Sequence, residues 1–437
     1  MSSKNQNTNF EYPSNSQIND LLEHYQTGRF EDAEKIAINF TKKYPKHIFA
    51  WKILSVIMWQ TGRKSEGIKF SKKTVSLSPN DDESHSNLGV MLQEQGRLEE
   101  SEESLINAIS LNSKNPNNHY NLGVTLKKLG RLQEAILSNE RAISLDSYYF
   151  KAYNNLGDIF KILGRLEEAK FNFKKVISLK PDYFQAHVNL GATLVDMESF
   201  DEATLCFKDA ISLNPEHSKA KHMLAALTGK TTFTAPQEYV EDLFDDYALK
   251  FENSLVTNLE YKIPKIFTEI ITKDNKENSL GSLIDLGCGT GLLGEEIKKH
   301  CHNIVGIDLS KRMLDQAKKK NIYNKLIKED ISSYLSNNYF DFDYFISLDV
   351  FIYIGDLSDI FRLIKSRNKK RGKLAFSVEN YDGESFFLEQ TGRYSHSKTY
   401  IENLCEKFGY RLIKLKQLNL RKEKNRYISG ALYILEF

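Results

Sequence analysis

The tripeptide Asn-Leu-Gly stands at Asn87, Asn121, Asn155 and Asn189, each time 34 residues after the last. A strict period of this length restricts the fold more than composition can, because it marks a supersecondary unit that covers its apolar face by stacking on copies of itself. The register also runs backwards: Gly28, Gly62, Gly96, Gly130 and Gly164 keep the interval, each followed by arginine, with Glu198 in the sixth slot. Other columns fall in phase. Ala33, Ala135, Ala169 and Ala203 share one, with Gly67 and Ser101 substituting in it, and Ala108, Ala142 and Ala210 lie seven positions on. Pro45, Pro79, Pro181 and Pro215 close their copies, where Ser113 and Ser147 stand in two others.

Small residues at fixed spacing let two amphipathic helices approach closely on either side of a glycine turn. The pattern resembles the tetratricopeptide-repeat family, and the resemblance implies an all-α solenoid over residues 14–228, with six repeats and Ser218–Gly229 beginning a capping helix. Such a superhelix has a concave groove suited to a protein or peptide. Asn87, Asn121, Asn155 and Asn189 resemble the asparagine ladder of O-linked N-acetylglucosamine transferases, which implies that their carboxamides grip a peptide backbone. An amide that bonds its own helix or a neighbouring loop is the alternative, and the sequence leaves both open.

Beyond the array the period stops. Residues 229–238, GKTTFTAPQE, have the composition of a linker, and residues 1–13 that of a disordered tail. From Ser282 onward, apolar runs of strand length alternate with helical segments, which predicts a parallel sheet covered on both faces, with ligands at the carboxyl ends of its strands. The first run ends in the turn LIDLGCGTG, Leu283–Gly291. A dinucleotide fingerprint would need a third glycine at position 292, which is Leu; a phosphate loop would need Lys and Ser/Thr where Glu295 and Glu296 stand. Asp285, at the strand end, would repel a pyrophosphate and attract an ammonium group. That selects S-adenosylmethionine. Gly287, Gly289 and Gly291 then let the backbone approach the nucleoside, with Cys288 in the same turn. Asp308 and Leu309 end the second strand beside the ribose hydroxyls, Asp330 and Ile331 meet the adenine, and Asp349 and Val350 border the cavity after the fourth strand.

These motifs, in this order, resemble the Rossmann-like class I S-adenosylmethionine-dependent methyltransferases over most of Ser282–Phe437. The segment Leu243–Pro264 resembles the helical lid of bacterial proteins that join tetratricopeptide repeats to such a domain. The resemblance implies a two-domain chain: an N-terminal all-α solenoid and a C-terminal α/β methyltransferase domain over 239–437, lid included. Methyl transfer needs orientation more than a fixed catalytic group. His396 is a candidate base and Tyr353 and Tyr394 are candidates to orient the acceptor, while Phe351, Tyr353, Phe244 and Tyr247 are candidates for an apolar cover. The loop after the fourth strand reads LDVFIY, without the paired prolines of enzymes that methylate exocyclic base nitrogens.

Composition excludes other classes. A formal charge of +2 provides no global field for nucleic acid or an anionic membrane. No run approaches the roughly 18 apolar residues that span a bilayer. The four cysteines, with no C-x-x-C pair, suit a reducing cytosol and no metal site. Cys288 lacks a neighbouring histidine, which argues against a nucleophile, and the HCHN segment at His300 lacks a ligand set. The expected function is methyl transfer to an acceptor recruited by the repeats, a protein above all; a small-molecule acceptor, or a scaffold that only senses cofactor, are the alternatives.

Overall fold

A computed structural model describes residues 12–248, 251, 259–273, 279–423 and 426–437. Most of the expected tail therefore lies outside the described residues, as does the middle of the expected lid. The chain divides into two compact units, Met1–Met197 and Glu198–Phe437.

The first unit is helical, from α1 (Asn15–Gln26) to α11 (Phe184–Asp196), and successive helices pair as antiparallel hairpins. The arginine-preceding glycines close each turn with φ between 73° and 81°. Such backbone is costly for any side chain with a Cβ. Glu198 occupies the sixth slot in the same conformation, φ 60°. The small-residue column is fully buried: Ala33, Ser101, Ala135 and Ala169 expose nothing to solvent, and the Ser101 hydroxyl satisfies itself on the Gly89 carbonyl at 2.7 Å. The glycines of the first three Asn-Leu-Gly copies, Gly89, Gly123 and Gly157, are packing glycines. A Cβ on Gly157 would stand 2.5 Å from the Phe173 ring, and one on Gly123 would stand 2.3 Å from the Asn139 amide.

The second unit opens with α12 (Phe200–Leu213) and α13 (Ser218–Leu227), so the expected capping helix groups with the C-terminal domain. The buried His222 of α13 donates from Nε2 to the Gly392 carbonyl at 2.9 Å, and Met223 packs where a Cβ on Gly392 would be. The stretch expected to be a linker is bound along its length. Thr231 accepts from the Leu388 amide, Thr232 bonds Tyr394, the Phe233 carbonyl accepts from Gly355 and Asp356, and the Ala235 amide donates to the Tyr353 carbonyl. Then come α14 (Gln237–Tyr247) and α15 (Ile263–Lys273).

The sheet follows the expected order of apolar runs: β1 (Ser282–Leu286), β2 (Asn303–Asp308), β3 (Lys325–Lys328), β4 (Tyr344–Ser347) and β5 (Lys373–Asn380). The order β3-β2-β1-β4-β5 is parallel throughout, so the direction of winding reverses between β1 and β4. The helices α16 (Leu292–Ile297), α17 (Lys311–Lys319), α18 (Ile331–Asn337) and α19 (Ser358–Arg367) connect these strands. A short hairpin, β6 (Phe386–Leu388) and β7 (Tyr394–His396), joins the carboxyl end of β5. After α20 (Lys398–Phe408), the long hairpin β8 (Arg411–Glu423) and β9 (Arg426–Glu436) closes the sheet, with β9 antiparallel to β5. Apolar clusters cover both faces, one around Phe345, Phe361 and Phe376, the other around Phe267, Leu283 and Ile346. No helix among the described residues is long and apolar enough to cross a membrane.

Two stability predictions follow from the turns and the packing. Gly157→Ala must displace Phe173 and should destabilise the protein by about 1–3 kcal/mol. Glu198→Gly relieves a left-handed non-glycine residue and should stabilise it by about 1 kcal/mol. Thermal unfolding followed by circular dichroism measures both, and an unchanged midpoint for either variant contradicts the corresponding account.

Candidate active site

The reversal between β1 and β4 leaves a crevice at the carboxyl ends of the strands, which is where open α/β sheets take ligands. A cavity of about 640 Å³ lies there. The turn after β1 forms its floor because three of its residues, Gly287, Gly289 and Gly291, adopt backbone that other amino acids avoid. Gly287 has φ 82°, and a Cβ on it would fall 2.4 Å from Val350; Gly291, φ 91°, makes room for Tyr323 at the start of α16. Gly287, Cys288, Gly289 and Thr290 line the cavity, whereas Gly291 supports the turn without lining it. The Thr290 hydroxyl is buried and has no hydrogen-bond partner among the described residues.

Two carboxylates stand over this turn. Asp285, 3% exposed, accepts a 2.7 Å bond from the Tyr323 hydroxyl on Oδ2, while Oδ1 has no donor among the described residues. Burial pushes its pKa up to about 7; the Tyr323 bond opposes the rise and the charge of Asp308 adds to it. Asp308 accepts from the amides of Gly289 and Ser310, both at 2.8 Å, and burial still lifts it to about 6. Desolvated acids of this kind are a poor choice for a static core and a good one for receiving a cation or hydroxyl groups. Asp330 lines the cavity while one of its oxygens caps α18 through the Ser333 amide at 2.9 Å, with Ile331 and Leu309 beside it. A carboxylate for an amino group, paired acids at the ends of β2 and β3, and an unpartnered hydroxyl in the turn together fit an amino-acid nucleoside.

Asp349 also lines the cavity, with φ 60°, and its Oδ1 is held by Arg421 Nη1 at 2.5 Å. Cys288 is buried, and burial drives its thiol well above its ordinary range, which disfavours the thiolate that a nucleophile needs.

The catalytic candidates separate. Tyr353 lines the cavity, its ring edge-on to Phe244 at 5.3 Å. Tyr394 and His396 do not. Tyr394 is fully buried in β7 with its hydroxyl on Thr232 at 2.6 Å. His396 is 1% exposed, and its Nε2 donates to the carbonyls of Ile354 and Gly355 at 3.0 and 2.9 Å. Burial lowers its pKa to about 4, so the ring stays neutral and pins the loop after β4. It does not line the cavity, and its Nδ1 is buried without a hydrogen-bond partner among the described residues. Phe351 belongs to the core against Phe376 and forms no part of the cover. The Tyr247 side chain lies outside the described residues.

The asparagine column also divides. Asn87 is exposed. Asn121 donates to the Ser86 hydroxyl at 3.2 Å, Asn189 to Asn154 and Asp158 at 3.3 Å, and Asn155 is buried against Asn139 at 3.2 Å. Three of the four therefore spend a donor between or within repeats.

Sequence reasoning missed the partners that arrive from afar. Tyr323 follows α17, while Arg393 comes from just before β7 and Arg421 from β8; Thr234 and Ala235 form wall where a linker was expected. Arg421 stands in a strand rich in lysine and arginine, so nothing in the sequence singled it out.

Residues 284–376 match the methyltransferase-domain family, residues 116–149, 150–183 and 184–217 match the tetratricopeptide repeat, and residues 91–130 match a second repeat family. Two uncharacterized methyltransferases of Schizosaccharomyces pombe are similar to the chain: one is 26% identical over 159 residues, the other 39% identical over 56. These alignments take in 32% and 13% of this chain, and the chain spans only 56% and 21% of the length of those relatives. Among solved structures, the repeat protein YrrB is similar at 20% identity, covering 43% of this chain and 96% of its own, with a TM-score of 0.35. MamA is similar at 27% identity, covering 38% and 97%, with a TM-score of 0.35. The chain thus carries tetratricopeptide repeats followed by a methyltransferase domain.

Proposed function

We propose that the C-terminal domain transfers a methyl group from S-adenosylmethionine to an acceptor borne by a protein that the repeats recruit. The observation that carries the cofactor reading is Asp285: a carboxylate buried at the end of β1, held by one phenol and left with an open oxygen on the cavity. When bound, the cofactor supplies an electrophilic methyl group. Asp285 would hold its ammonium, Asp308 its ribose hydroxyls, and Asp330 with Ile331 its adenine, while Gly287 and Gly289 let the backbone come close. Phe244, Leu243 and Tyr353 line the same cavity and would exclude water around the transfer, so orientation does most of the catalytic work. Recruitment rests on the repeats themselves, since stacked helix pairs present an extended binding surface.

Titration calorimetry tests the cofactor reading. The raised pKa of Asp285 means that the ligand-free site is partly protonated near pH 7, and that a cationic ligand binds with release of a proton. Wild type should bind S-adenosylmethionine about tenfold more tightly at pH 7.5 than at pH 5.5. Asp285→Asn should lose most of the affinity and the pH dependence together. Because an acid raised in the folded state costs stability above its unfolded pKa, the same variant should unfold at a higher temperature than wild type without ligand. No heat with wild type would end the cofactor reading.

Recruitment has a separate test, in which lysate is incubated with labelled cofactor and either the full chain or residues 198–437, which retain the wall strand at Thr234. Label should enter protein with the full chain alone. Equal labelling of small metabolites by both would transfer the acceptor to that class.

A further inference from the structure

The cavity extends past the cofactor turn toward the β5, β7 and β8 side of the sheet, and its walls there are charged. Arg421, 3% exposed, donates from Nε to Glu423 at 2.8 Å, from Nη1 to Asp349 at 2.5 Å and from Nη2 to Glu379. Arg393 donates to Glu379 at 3.0 Å and to Glu423 at 2.6 Å. Two guanidiniums are thus committed to three carboxylates. Along the described lining of the whole cavity, Asp285, Asp308, Glu329, Asp330, Asp349 and Glu423 face only Arg393 and Arg421, with no lysine or histidine. A carboxylate or phosphate entering here meets cations already paired. An ammonium meets surplus negative charge, in a cavity where burial strengthens the attraction.

The acids are not equivalent. Glu423 has an oxygen on each arginine, and Glu379 lies behind the lining. Asp349 keeps Oδ2 without a donor among the described residues, and its left-handed backbone is a strained conformation of the kind found at functional sites. Its neighbour Val350 packs on Gly287, which places it beside the cofactor turn, and Tyr261 feels the charges of both Asp285 and Asp349.

Resting on the cofactor reading above, we infer that the acceptor is an amine and that Asp349 takes its proton. The acceptor enters as R–NH3+, and one proton passes to Asp349. The nitrogen lone pair then bonds the methyl carbon as the carbon–sulfur bond breaks and leaves its electron pair on sulfur. The product departs as a methylammonium, the proton on Asp349 passes to water, and one proton is released per methyl transferred. Burial holds Asp349 above the usual carboxylate range, against the opposing charge of Arg421, which makes it the better proton acceptor.

A binding measurement on the full chain tests this without turnover. S-adenosylhomocysteine is neutral at sulfur, whereas sinefungin carries an amino group where the transferable methyl would be. Wild type should prefer sinefungin by about tenfold or more, and Asp349→Asn should abolish the preference while its affinity for S-adenosylhomocysteine stays within about threefold. Equal affinities in wild type, which require no folded variant, overturn the inference. Equal loss of both ligands in the variant makes Asp349 a cofactor ligand and also overturns it. If neither ligand binds wild type, the cofactor reading has failed first. In a second arm, labelled S-adenosylmethionine is offered with poly-L-lysine, spermidine or poly-L-glutamate. Alkali-stable label on poly-L-lysine identifies a protein amine and on spermidine a small one. Alkali-labile ester on poly-L-glutamate refutes the amine.

Discussion

The C-terminal domain is organised around the cost of keeping two carboxylates out of water at the ends of adjacent strands. Asp285 pairs in register with Gly306 on β2, which places it one step from the strand end and close to Asp308. Burial raises the proton affinity of both; the charge of Asp308 adds to the rise at Asp285, and the backbone amides around Asp308 only partly compensate for its burial. A folded chain tolerates this arrangement when the sheet around it is well packed, and here apolar clusters cover both faces. The strain then becomes affinity for whatever brings a positive charge. Tyr323 shows how closely the site is built: its hydroxyl bonds Asp285, and its ring packs where Gly291, Gly294 and Gly306 lack a side chain.

Features set by local spacing were legible in the sequence. The 34-residue period gives the helical hairpins because each small-residue column must sit at a helix crossing, and Ala33, Ala135 and Ala169 are indeed fully buried. The central strands β1 and β4 read directly because strands buried on both faces are continuous apolar runs, whereas the edge strand β3 shows only Leu326 and Ile327 between exposed lysines. Side-chain placement across the fold was not legible. His396 has the residue type of a base, yet the hairpin that carries it folds against the loop after β4, and two carbonyls take its only donor. Asn155 keeps the ladder's spacing, yet Asn139 in the paired helix offers a closer partner than any groove. Arg421 stands 136 positions after Asp285 in the sequence, and nothing local ties it to Asp349.

The stretch after α13 is the most instructive departure. Its threonines and proline have the composition of a spacer, and composition reports only that a segment lacks an apolar face of its own. It does not report that neighbouring backbone has unpaired groups to offer. The loop after β4 and the β6–β7 hairpin present amides and carbonyls that would otherwise be unsatisfied, and residues 231–235 supply the complement. A polar segment can therefore be as firmly placed as a strand when its hydrogen bonds are made by the chain it crosses.

That placement has a chemical consequence. The same residues that tie α13 to the domain make the cavity wall, through Thr234 and Ala235, and hold the loop bearing Tyr353. On its other side, α13 touches the hairpin turn at Gly392, next to Arg393, which anchors the ion network around Asp349. A displacement of α13 would move the wall and the network together, because both are attached to it by directional bonds and packed side chains. Helix position and cavity shape are thus coupled within this unit, and a segment that reads as a spacer is what couples them.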